Sequence, residues 1–401
     1  MSMMSKAGAG LAAVAAGLAI AGAAAAEIAV SVNDGKQLRP GDDPPGRTPD
    51  TLAVLDLTAA GPKVLGTVPA PASMIGPPSS VAVTPDARLA LVTAAQKLDA
   101  NGPVTLVLDD TLTVVDLSNP AAPKVAQTLQ AGAGATGVAV NRAGTLALVV
   151  STGDDTVSVF GISRGRLTPA GKVRLPYQAR PTDVAFTPDG KSALVVAQTA
   201  GSILRLAVDG TKVTRTEVAV QPGLQPYGVV VSPKGDFAYN TNLGGRRPTP
   251  GQLAPPGPRP GTISAIDLST NQVANSVDVG QTPEHLTLSA DGGFMAVTVA
   301  NGSGGSPGSP GSPGSPGYND FGLLKVYRVA GAELTPVAEA KTGRWCQGAA
   351  WTKDRSRVLL QCAAGREVES YRFDGASLTR EPGETLKFAA RPASIATATG
   401  R

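Results

Sequence analysis

The chain has 401 residues, a single histidine, two cysteines and a formal net charge of +4 from 35 basic and 31 acidic side chains. A balance so small and so dispersed leaves no clustered basic face, which excludes a nucleic-acid footprint. With 48 glycines, 34 prolines and only 4% aromatic residues, the chain reads as a turn-rich all-β fold that packs through Val, Ala and Leu.

Met1 to Ala26 carry one positive charge, Lys6, then an Ala/Gly/Leu/Val run and the small residues Ala24-Ala25-Ala26. That layout predicts a signal peptide, with the mature chain starting near Glu27 in the periplasm or outside the cell. The competing reading, a membrane anchor, needs a longer apolar core of roughly 20 residues. After this segment no run is long enough to span a bilayer, and a soluble monomer is expected.

From Glu27 onward, period-two apolar runs alternate with turn residues, the pattern of antiparallel hairpins. EIAVSVNDG, TLAVLDL at Thr51 and KVLGTVPA at Lys63 read as three strands, after which a four-strand unit begins to repeat. Its clearest copy has strands at Asp183 to Thr187, Ala193 to Gln198, Ile203 to Val208 and Arg215 to Val220, with Pro188-Asp189-Gly190 as the first turn. The apolar anchor of the first strand recurs at Val81, Val138, Val184, Val229, Leu286, Ala349 and Ile395, with steps of 57, 46, 45, 57, 63 and 46 residues. A period of about 40–50 residues with four strands is the mark of a β-propeller blade, and seven anchors predict seven blades. The last copy, RPASIATATG from Arg391, supplies one strand and then the chain stops. Blade seven is therefore expected to take its inner strand from the carboxyl end and three strands from the amino end, which protects the edges at the seam.

Four insertions, Lys36 to Pro49, Lys97 to Asp109, Gly244 to Pro260 and Gly302 to Asp320, fall between second and third strands. The last includes GSGGSPGSPGSPGSPG (302–317), a low-complexity loop. All four should emerge on one face, as two walls over the channel mouth, from blades seven and one and from blades four and five. The residues leading into the first strands line that mouth. Arg180, Asp183, Tyr227, Arg344, Gln347 and Arg391 are candidate ligand contacts, and three arginines there favour an anionic small molecule; a protein partner is the other candidate. The arginines could instead cover blade seams or pair with Asp183 and Glu284.

His285 with its neighbour Glu284 is the candidate catalytic pair, as general base or ligand contact, against a purely structural histidine. Cys346 and Cys362 flank the Lys353 to Ser356 turn almost symmetrically, so they should face each other across the first hairpin of blade six as a disulfide. Neither Cys-x-x-Cys nor further ligands accompany them, so no metal is expected, and no cofactor. Gly161-Ile162-Ser163-Arg164-Gly165 mimics a nucleophile elbow but lies in a hairpin, and Gly190-Lys191-Ser192 lacks the rest of a phosphate loop.

PYGVVVSPKGDFAYNTN followed by GTISAIDLSTNQVANSVDVG resembles the YVTN-type β-propeller repeat. Tyr239, Asn240, Thr241 and Asn242 stand where that tetrapeptide would be, with Asn240 in place of the usual Val. Degenerate copies extend the resemblance over nearly all the mature chain. It implies a seven-bladed propeller related to phosphogluconolactonase-type lactonases. It leaves two functions open: an exported binding or interaction protein, or a lactonase-like hydrolase or isomerase on a lactone or sugar acid.

Overall fold

A computed structural model describes residues 27–38, 47–58, 61–245, 260–304, 314 and 317–398. The expected signal segment, the centres of the insertions in blades seven and four, and most of the Ser-Pro-Gly loop lie outside these residues. The described chain forms seven antiparallel sheets. Their inner strands are Val81–Val83, Ala135–Val140, Pro181–Phe186, Pro226–Val231, Pro283–Leu288, Cys346–Trp351 and Arg391–Thr397. Each inner strand neighbours the next, and the last packs beside the first, so the ring is closed.

All seven predicted anchors fall on these inner strands, and each is at most 4% exposed. The seam forms as expected: Ile28–Asp34 pairs with Thr51–Asp56 on one side and with the carboxyl-terminal Arg391–Thr397 on the other, Ser31 lying opposite Ile395. Blades pack through small aliphatics. Val184, for example, shares a core with Leu148 and Val150 of the preceding blade. With so few aromatics, sheets can approach closely and still interdigitate.

The hairpin turns joining first and second strands form a common lock. Thr84, Thr187, Ser289 and Thr352 each donate a hydroxyl hydrogen bond to an aspartate two residues on, at 2.6, 2.6, 2.6 and 2.7 Å. These turns define one face of the disc, the turn face. The second strands end against the segments that lead into the inner strands: Leu243 N donates to Gln225 O, Ala300 N to Thr282 O and Ala363 N to Trp345 O, each at 2.9 Å. The connections between second and third strands therefore leave from the opposite face, the loop face, as the insertion pattern required.

One insertion differs from expectation. In blade one, Lys97 to Asp109 is a β-ribbon, because the second strand runs on to Asp99 and the third starts at Gly102, with Asp99 paired to Gly102. In blade six the fourth strand is broken into Leu378–Arg380 and Leu386–Lys387 by a 3-10 turn at Pro382–Glu384.

Candidate functional site

The inner strands are bulged where they start. In blades two, four and six the pairing slips between Ala135 and Val138, between Pro226 and Val229, and between Cys346 and Ala349. Each slip takes the anchor's N–H out of its own ladder and leaves it seeking an acceptor from the preceding blade. Val138 N finds Ser79 O at 2.9 Å. Val229 N finds the Asp183 carboxylate at 2.9 Å, whose other oxygen accepts from Val184 N at 2.8 Å. Ala349 N donates to Nδ1 of His285 at 3.3 Å.

In blades three, five and seven the residue just before the anchor thus acts as a bridge to the next blade. Asp183, His285 and Ser394 occupy this position, and the Ser394 hydroxyl reaches Pro78 O of blade one at 2.6 Å. The blade that follows a large bridging residue has glycine at the equivalent site. A Cβ on Gly228 would sit 3.7 Å from Asp183 Oδ2, and one on Gly348 only 2.4 Å from Gln361 Oε1. His285, 3% exposed, spends Nδ1 on this seam, so that nitrogen is closed to proton transfer.

One position earlier the side chains differ in kind. Thr182 here gives its hydroxyl to Tyr227 O of the next inner strand at 2.8 Å, which fixes this level as the place where neighbouring inner strands meet around the axis. Blades four, five and six carry Tyr227, Glu284 and Gln347 at this level. Glu284 is 8% exposed and Gln347 4%, while Tyr227 is half-buried. Among the described residues none of these three side chains has a hydrogen-bonding partner within the protein. Burial pushes the Glu284 carboxyl up to about 7. Tyr227 is raised well above an ordinary phenol, first by burial and then by the Glu284 and Asp183 carboxylates. Three consecutive blades therefore converge on a carboxyl poised at neutrality beside a phenol.

The arginines part ways. Arg180 and Arg344 are exposed at the approaches to blades three and six, on opposite sides of a seven-blade ring. Arg391 is only 1% exposed and donates to Ala363 O at 2.8 Å and Gln37 O at 3.3 Å. It clamps the base of the blade-seven insertion. That insertion is also held by Lys36, which bridges Asp50 at 2.5 Å and Asp34 at 3.3 Å. The disulfide forms as expected: Cys346 and Cys362 are directly paired, with Cα atoms 3.8 Å apart, immediately before Gln347.

Sequence reasoning did not find the rim geometry. Arg180, Gln225, Thr282 and Trp345, each four residues before an anchor, all have left-handed backbones, with φ of +45°, +56°, +59° and +54°. Such conformations cost on the order of 1 kcal/mol for a non-glycine residue and concentrate at functional rims. Four at one level turn unlike side chains to the same mouth. Trp345 N also accepts a tie from the blade-five insertion, donating to Ser303 Oγ at 2.9 Å.

No protein-family model matches this sequence, and no curated protein matches it. Solved structures do. The chain is similar to the periplasmic gluconolactonase of Pseudomonas aeruginosa, with 15% identity, TM-score 0.64 and coverage of 92% of this chain and 98% of that one. A Bacteroides fragilis protein provisionally described as a 6-phosphogluconolactonase matches with 16% identity, TM-score 0.67 and coverage of 93% and 98%. A Desulfotomaculum acetoxidans protein of unknown function matches with 15% identity, TM-score 0.64 and coverage of 92% and 98%. At such identities the likeness establishes the architecture alone: the chain is a seven-bladed β-propeller.

Proposed function

We propose that the protein is an exported small-molecule-binding propeller whose ligand sits in the loop-face mouth, against Tyr227, Glu284 and Gln347. Arg180 and Arg344 stand at the outer rim to receive an anionic group. The carrying observation is Glu284: a buried carboxyl with no protein hydrogen-bond partner among the described residues, half protonated near pH 7, with the Tyr227 phenol of the preceding blade near enough to feel its charge. A ligand hydroxyl or carbonyl that reaches Glu284 and Gln347 would meet hydrogen-bonding groups for which, among the described residues, no other side chain competes.

The same observation favours a second reading, hydrolysis of a lactone or sugar-acid ester. Ionised Glu284 would take a proton from water as the water oxygen bonds to the acyl carbon. The ring C–O bond would then break, with that proton passing to the departing oxygen. Tyr227 would donate a hydrogen bond to the developing oxyanion. His285 serves as a seam residue in both readings. His285→Ala should lower stability by about 1 kcal/mol without selectively removing binding or turnover.

Calorimetric titration with gluconate, gluconolactone and 6-phosphogluconolactone, together with a lactone hydrolysis assay, separates the readings. Binding that Glu284→Gln and Gln347→Ala weaken, without turnover, supports the first. Turnover that rises through pH 7 and is lost in Glu284→Gln supports the second. If neither variant changes anything at a mouth that does bind these compounds, the assignment of Glu284 is wrong.

A further inference from the structure

The channel changes character along its length. Below the polar level described above, a cavity of about 560 Å³ opens on the turn face. Six of the seven blades contribute to its wall, so it lies on the propeller axis. The wall is made by the second halves of the inner strands and the turns that follow them; most of it is aliphatic or aromatic, as at Val83, Val140, Phe186, Val230, Val231 and Leu288, and Asn141, Thr187, Ser289 and Thr397 are its uncharged polar members. Its size falls in the range of small-molecule sites, which are mostly apolar with a few polar groups that set orientation.

Among the described residues Arg142 is the one charged residue lining this cavity. It is exposed, it lies in the first hairpin turn of blade two, and among the described residues it has no ion pair. Aspartates fill the corresponding turns of blades one, three, five and six, and there they accept hydrogen bonds from their own turns. Blade two closes the same turn differently: Asn141 Oδ1 accepts from Thr145 N at 2.8 Å and Leu146 N at 3.0 Å. That exchange removes the local carboxylate and leaves the guanidinium next to the opening without a counter-charge in its own turn.

A largely apolar bore with, among the described residues, one cation in its wall fits a molecule with an alkyl chain and an anionic head. We propose that the turn-face end of the channel binds a fatty-acid-type amphiphile, its chain inserted along the axis and its carboxylate held by Arg142. The chain would lose water-exposed apolar surface, and the head would form a charge-assisted, bidentate contact. This site lies on the face opposite the mouth and does not depend on what the mouth binds.

The test is displacement of a fluorescent fatty-acid probe from the full-length mature protein by octanoate, dodecanoate and hexadecanoate, with dodecanol as the uncharged control. The expected result is saturable one-to-one binding, tighter for the longer acids than for octanoate and about tenfold weaker for dodecanol. Arg142→Gln should bring dodecanoate affinity down to the dodecanol level. Ala185→Phe, which narrows the bore, should abolish binding, with an unchanged thermal unfolding curve showing that the ring is intact. Glu284→Gln should leave binding unchanged. Absence of saturable binding, or binding indifferent to both Arg142→Gln and Ala185→Phe, would overturn the proposal.

Discussion

Glu284 offers the sharpest test of the structure because its environment makes a quantitative statement about pH. In the unfolded chain this carboxyl ionises near 4.5, and in the folded ring near 7. Between those values the unfolded state has released the proton while the folded state still holds it, so stability falls as pH rises through the window and levels off above it. At about 1.4 kcal/mol per pH unit, the ionised group costs the native state about 3 kcal/mol at pH 8. Glu284→Gln keeps the shape and removes the charge. The variant should match the wild type at pH 4 and exceed it by about 3 kcal/mol at pH 8. Urea unfolding followed through Trp345 and Trp351 across pH 4 to 8.5 measures the difference directly. Other buried acids, such as Asp34 and Glu369, are present in both proteins and cancel in that difference. Stability curves that stay parallel over the whole range would show that Glu284 is not held in a dry site, and the argument for the mouth would fail with it.

Replacing Cys346 and Cys362 by serine should lower stability by about 3 kcal/mol in the loop-closure description, given their separation of 16 residues; reductant should then affect the wild type and not the variant. Gly348→Ala should cost about 1–3 kcal/mol, because the new methyl meets Gln361 Oε1 at 2.4 Å and that amide is already tied to Ser31 at 2.8 Å and Ser394 at 3.0 Å. At the rim of blade six, burial opposes ionisation of Glu381, but hydrogen bonds from Arg357, Ser370 and Arg372 prevail and hold it at about 2. Its folded value lies below the unfolded 4.5, so its contribution is present above pH 4.5 and disappears as pH falls through 2. With Arg372 largely exposed and screened, Glu381→Gln should cost about 2 kcal/mol at pH 7 and nothing at pH 2, as read from unfolding midpoints.

The ring was legible because its repeat is written in local chemistry. Anchors such as Val184 and Leu286 lie in period-two runs bounded by turn residues, and the Cys346–Cys362 pairing follows from their near-symmetry about one turn. The β-ribbon of blade one turns through Ala100 and Asn101, since Asp99 pairs with Gly102, and it reads in sequence as an ordinary insertion. The site was only half legible. Polarity at the mouth selected Glu284, Tyr227 and Gln347, but nothing local distinguishes them from Asp183 and His285. Which side chain bridges a seam and which stands unpartnered depends on the bulge in the neighbouring blade, 45 or more residues away in sequence. In retrospect Gly228 is a clue, since a Cβ there would touch the Asp183 carboxylate of the preceding blade.

The seam in blade seven also bears on biosynthesis. Since Ser31 pairs with Ile395, blades one to six can stack on one another as they emerge, but the ring closes only once the Arg391–Thr397 strand has been made. A variant without Arg391–Thr397 would lack the whole innermost strand of that blade, exposing the inner edge of Ile28–Asp34 as a sticky template. Docking of that one strand is thus the event that makes the ring topologically whole.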